Sequence, residues 1–125
     1  MTLTLDLCKR LCEKEPEKFF IRGRCLYYRK SLVTIFYFKD TGEIYPEMCE
    51  ITQDSCDRLC RELGWEYQVH KENTGWWYEA WRISSPSGEI EIGGKGGESK
   101  LPASIAAVAE IVKRKVQSTP HDPHS

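Results

Sequence analysis

Cys8 and Cys12 stand four residues apart, and so do Cys56 and Cys60. On a helix that spacing puts each pair on one face, a turn apart. Two such faces brought together would present four thiolates, enough for a tetrahedral zinc site. The same positions fall on the apolar stripes of the helices they predict, where a free thiol behaves as a small hydrophobe. Core burial is therefore the simpler reading, and zinc held by Cys8, Cys12, Cys56 and Cys60 the alternative. No other cofactor is called for.

A second chemistry is spelled out between Lys18 and Lys39. Lys18, Arg22, Arg24, Arg29, Lys30 and Lys39 are interleaved with Phe19, Phe20, Tyr27, Tyr28, Phe36, Tyr37 and Phe38, with no acidic residue among them. Cations for phosphates and open rings for base stacking are what a nucleotide or a single-stranded nucleic acid needs. The competing reading is a ribbon with its rings in the core and its cations in water. Arg22, Arg24, Tyr28, Arg29 and Lys30 are the candidate binding residues of this segment.

Trp76, Trp77 and Trp81 lie on one predicted strand, and alternation forbids all three from pointing inward. At least one face of that strand must meet a helix, a partner chain or a ligand, which makes Trp76 a further candidate. Gly93-Gly-Lys-Gly-Gly97 reads as a flexible loop ahead of a helix, where bare amides with Lys95 and Lys100 could hold a phosphate. It lacks the ending of a P-loop. For catalysis there is little: His70 is the only histidine before the carboxyl-terminal stretch, it sits in a predicted strand, and no nucleophile has a base at a recognisable spacing. The expectation is a protein that is not an enzyme.

The elements that must carry these residues follow from punctuation and periodicity. Thr4 caps a first helix over 5–15, which Pro16 stops. The runs 18–30 and 31–38 read as strands, with Asp40-Thr-Gly42 a turn and 43–46 a short edge strand. A second helix starts near Thr52 or Asp54 and ends at Gly64. Strands are expected at 65–71, 76–83 and 89–92, the last with its glutamates outside and its isoleucines inside. A final helix has Ser99 as cap and Pro102 in its first turn, with Ile105, Val108, Ala109, Val112 and Val116 on the buried face.

Cys8-Lys-Arg-Leu-Cys12 recurs as Cys56-Asp-Arg-Leu-Cys60, and Gly42-Glu-Ile44 recurs as Gly88-Glu-Ile90. The class expected is α+β: a mainly antiparallel sheet with helices packed on it, an α-β-β-β-α core in residues 52–116, and an α-β-β-β unit used twice. Residues 1–50 make the first unit and 51–117 the second, sharing one core, while the polar, Pro-containing stretch 118–125 reads as a disordered tail.

The chain has 125 residues, enough for one domain, and a net charge of −1, so no global basic field draws nucleic acid. No apolar run reaches membrane-spanning length, and the amino terminus shows no signal core, so the expected location is cytoplasmic and the six cysteines are expected as thiols.

Two resemblances bear on function. Ser99, Lys100 and Ala103, after Gly-Lys-Gly-Gly-Glu, resemble the last helix of a double-stranded RNA-binding domain, whose lysines sit over RNA phosphates. Leu101 and Ser104 stand where that pattern has lysines, and Glu72-Asn-Thr-Gly75 replaces its Gly-Pro-x-His loop. The order helix, strand, Gly-Trp-Trp strand, Gly-started strand and Pro-Ala-x-Ile-Ala helix, over about 52–116, is similar to the phage ABA sandwich domain. That resemblance implies a compact α/β layer and a phage or prophage setting, with no general activity to carry over. The function expected is a small binding protein, of phage accessory or counter-defence type, that captures a protein partner, a nucleotide or a nucleic acid. A degenerate double-stranded RNA-binding module and a zinc-stabilised or thiol-redox protein are the alternatives, with homo-oligomerisation compatible with each.

Overall fold

The structure is a computed structural model that describes residues 3–32, 34–45 and 49–117. Pro46 and the tail assigned to 118–125 lie outside the described residues. Helix α1 spans Leu5–Lys14, and the Thr4 hydroxyl accepts from the Leu7 amide at 3.2 Å, which is how an N-cap satisfies a free donor. Strands β1 (Phe19–Arg22), β2 (Cys25–Tyr28) and β3 (Thr34–Tyr37) follow as an antiparallel meander. Helix α2 (Cys49–Glu62) begins earlier than Thr52 and stops at Gly64, whose φ of 83° is the left-handed conformation that ends helices cheaply only with glycine.

A second antiparallel meander comes next: β4 (Trp65–Glu72), β5 (Gly75–Arg82) and β6 (Ile92–Gly97), closed by α3 (Lys100–Gln117). The order helix and three strands thus occurs twice before the last helix. The expected α+β class holds, with the strands divided between two three-stranded antiparallel sheets. Both meanders feed one core. Leu11, Phe19, Leu26 and Phe36 from the first half are buried in the same cluster as Leu59, Ala80, Ile111 and Val112 from the second. Helix α3 packs across β4, β5 and β6 and also touches α1 and α2.

Two local expectations need correction. The run 18–30 is a hairpin, broken at Gly23, where φ is 64°. The glycine run 93–97 is part of strand β6, paired along β5, and residues 89–91 precede that strand. The reason lies under α3. A Cβ on Gly96 would stand 2.4 Å from the Ala103 Cα, so the helix backbone rests almost directly on the strand. Only glycine permits such an approach. With the strand shifted toward the glycines, Ile92 turns inward, whereas Ile90, expected inside, is 50 % exposed.

Candidate functional site

Alternation decides what each sheet shows to solvent. On the first meander Phe19, Leu26, Tyr28 and Phe36 go inward, and all four are buried. Phe20 and Tyr27, cross-strand partners on the opposite face, are only half-buried. Their rings stack at 5.1 Å between centroids with 15° between planes. The Arg29 guanidinium lies 5.1 Å from the Phe20 ring centre, held by an Nε–H bond of 2.8 Å to the Pro16 carbonyl. Arg22 is exposed and, by alternation, shares the face of Phe20. Arg24 is exposed at the hairpin turn and pairs with Asp40.

Of the residues singled out by composition, Arg22, Arg24, Arg29 and Lys30 are therefore exposed on or beside one sheet, while Tyr28 is turned away from that face. Its ring is buried beneath the Arg58 guanidinium, 4.7 Å from the ring centre. The rings that take its place on the open side are Phe20, found by period-two counting from buried Phe19, and Tyr27, which the hairpin at Gly23 sets opposite Phe20.

Trp76, Lys95 and Lys100 belong to the other half of the molecule. Trp76 is half-buried at one end of β5, Lys95 lies across from Trp77 on β6, and Lys100 opens α3 in solvent. They do not share a sheet with the arginines. Because Gly93 to Gly97 run along β5, the expected loop of bare amides is a paired strand instead.

The second meander has its own open face, which sequence reasoning missed. His70 lies across from Trp77, and its Nε2 is 3.2 Å from a Glu72 carboxylate oxygen while its Nδ1 is 3.5 Å from one of Glu79. Gln68 donates to the same Glu79 oxygen at 3.1 Å, and Trp77 Nε1–H donates to Thr74 at 3.3 Å. His70, Glu72, Thr74, Trp77 and Glu79 line a shallow cavity of about 540 Å³. The signal was available: alternation along β4 puts Glu66, Gln68, His70 and Glu72 on one side. The face is acidic, which suits phosphates poorly.

The cysteines do not assemble as the zinc alternative requires. Cys8, Cys56 and Cys60 are buried, and burial above all pushes their thiols well above the ordinary range, with Cys12 adding to the effect at Cys8 and Asp57 at Cys56. Half-buried Cys12 is pushed up to about 11, again by burial. A buried, protonated thiol packs as a small apolar group. Among the described residues no group of three or more His, Cys, Asp or Glu is placed to hold a metal ion, and the described cysteines are free.

No protein-family model matches the chain, and no curated protein or solved structure matches it either. Among the described residues no helix is long and apolar enough to cross a membrane.

Proposed function

We propose that this chain is a binding protein, without catalytic activity of its own, that captures single-stranded nucleic acid along the open face of the first meander. The observation that carries the reading is the stacked Phe20–Tyr27 pair, half-buried on the face away from the core, with Arg29 over the Phe20 ring and Arg22 beside it. Bases stack on such rings whatever their identity, and arginines beside them neutralise the backbone. With a net charge of only −1 on the whole chain, attraction is local to this face. A duplex hides its bases, so open rings favour single strands over double-stranded RNA. In keeping with this, Ser104, at a lysine position of the double-stranded RNA-binding pattern, is buried, donating to the Lys100 carbonyl and accepting from Gln53. A phage accessory or counter-defence role, suggested by the ABA sandwich resemblance, would be exerted through this capture.

The test is fluorescence anisotropy with a labelled single-stranded oligonucleotide over a salt series. Binding should weaken linearly in log–log form as salt rises. Arg22, Arg24 and Arg29 changed together to Glu should cost on the order of 100-fold in affinity while the melting temperature stays put. Unchanged affinity in that variant would remove the face from consideration.

A further inference from the structure

The hydroxyl of Tyr28 poses a separate question. The residue is 7 % exposed and its hydroxyl has no hydrogen-bond partner among the described residues. Leaving a buried donor unpaired is costly, and such an atom asks for an acceptor. Tyr28 lines a hollow of about 270 Å³ at the end of β2, together with Lys18, Lys30, Ser31 and Arg58, and with Glu17 and Glu62. Three cations and two carboxylates thus line the hollow, and of these Arg58 and Glu62 act on the hydroxyl most directly. Lys18 is drawn to the rim by a 3.4 Å bond from its Nζ to the Glu62 carbonyl, and Arg58 is fixed over the tyrosine ring. No ion pair ties Lys30 or Arg58 to a carboxylate among the described residues. The hollow lies below the size usual for drug-like ligands but has room for a small oxyanion.

We propose that this hollow binds a phosphate monoester, the terminal phosphate of the strand laid on the open face, with the Tyr28 hydroxyl as buried donor and Lys18, Lys30 and Arg58 as counter-charges. The inference rests on the nucleic-acid reading for its source of phosphate. The Arg29 amide bonds the Lys18 carbonyl at 2.9 Å, so Arg29 and the rim of the hollow stand at the same end of the β1–β2 pair, and the end of a nucleic-acid strand on the ring face reaches the hollow by passing round that edge of the sheet. A terminal phosphate carries close to two charges, which several donors converging from different elements match better than they match a single carboxylate. Burial raises the Tyr28 pKa against the opposing pull of Arg58, so the hydroxyl keeps its proton and donates.

The experiment uses the full chain and two probes. Inorganic phosphate is titrated by calorimetry, and one oligonucleotide sequence is compared with 5′-phosphate, with 3′-phosphate and with neither. Phosphate should bind saturably, and one phosphorylated end should bind more tightly than the bare strand. Tyr28→Phe, which removes one oxygen and no bulk, should weaken phosphate about tenfold, abolish the preference for the phosphorylated end, and leave the melting temperature equal or higher. Lys30→Gln should weaken phosphate in the same direction. Absence of saturable phosphate binding, or equal affinity in Tyr28→Phe, overturns the site. The two readings fail separately. Oligonucleotide binding that needs the arginines but ignores end phosphates removes the hollow alone; phosphate binding lost in Tyr28→Phe, with no oligonucleotide bound, removes only the face.

Discussion

The two meanders share a chain order but differ in how closely a helix approaches them. In the first, the strands are four residues each and send Phe19, Leu26 and Phe36 into the core, so large side chains fill the gap to the helices. In the second, β4 and β5 are eight residues each, α3 lies so close to β6 that only glycine fits at Gly96, and Gly94 is covered by the Tyr78 ring. The first half excludes water with rings, and the second adds backbone proximity at Gly96 to the buried rings of Trp65 and Tyr78. The open faces diverge as well: rings with arginines on one, indoles with Glu72, Glu79 and His70 on the other. Topology is thus shared while the chemistry on offer differs, and only the first face is suited to phosphates.

The comparison predicts that equal truncations have unequal costs. Phe36→Ala removes a ring that is 1 % exposed and should cost about 3–5 kcal/mol in denaturant-induced unfolding. Trp77→Ala removes a larger ring that is half in water on the open face, and should cost well under that. Equal losses would mean that the second face is covered and that the contrast between the halves is wrong.

Next in size is Gly96→Ala. The new methyl would meet the Ala103 Cα at 2.4 Å and its Cβ at 2.6 Å, and a helix backbone cannot swing aside as a flexible side chain can. Moving α3 outward to make room should cost about 1–3 kcal/mol, read as a lower denaturation midpoint. The same change at Gly93, where the nearest atom is the Tyr78 carbonyl oxygen at 3.6 Å, should cost clearly less. Similar losses at the two positions would show that β6 tolerates a raised helix.

This close approach is also where sequence reading ran short. Helix boundaries were readable because Thr4, Pro16 and Gly64 act through local chemistry, and strand faces because alternation is strict over β5. A glycine run carries no side-chain pattern. Gly93 to Gly97 reads as a loop because what holds it as a strand is Ala103, in another element. With β6 starting at Ile92, Ile90 falls before the strand and stays in solvent. The first open face was half readable. Composition pointed to the right segment, but choosing Tyr27 over Tyr28 requires knowing where Gly23 breaks the run, because moving a strand by one residue exchanges its faces. His70 and Glu79 are far apart in the chain, and only β4–β5 pairing brings them together.

The smallest effect expected is at Arg24, and it bears on how the cations of the first face are used. Arg24 pairs with Asp40, but their side chains are 53 % and 91 % exposed, so water screens the attraction. Such pairs contribute about 0–1 kcal/mol, and Arg24→Gln should leave the unfolding midpoint nearly unchanged. The same substitution should also weaken oligonucleotide binding less than Arg22→Gln does. Arg24 would have to leave Asp40 to reach a phosphate, and by alternation Arg22 already lies on the side of Phe20 and Tyr27. If the two single variants lose equal affinity, the bound strand runs past the hairpin turn rather than along the ring stack.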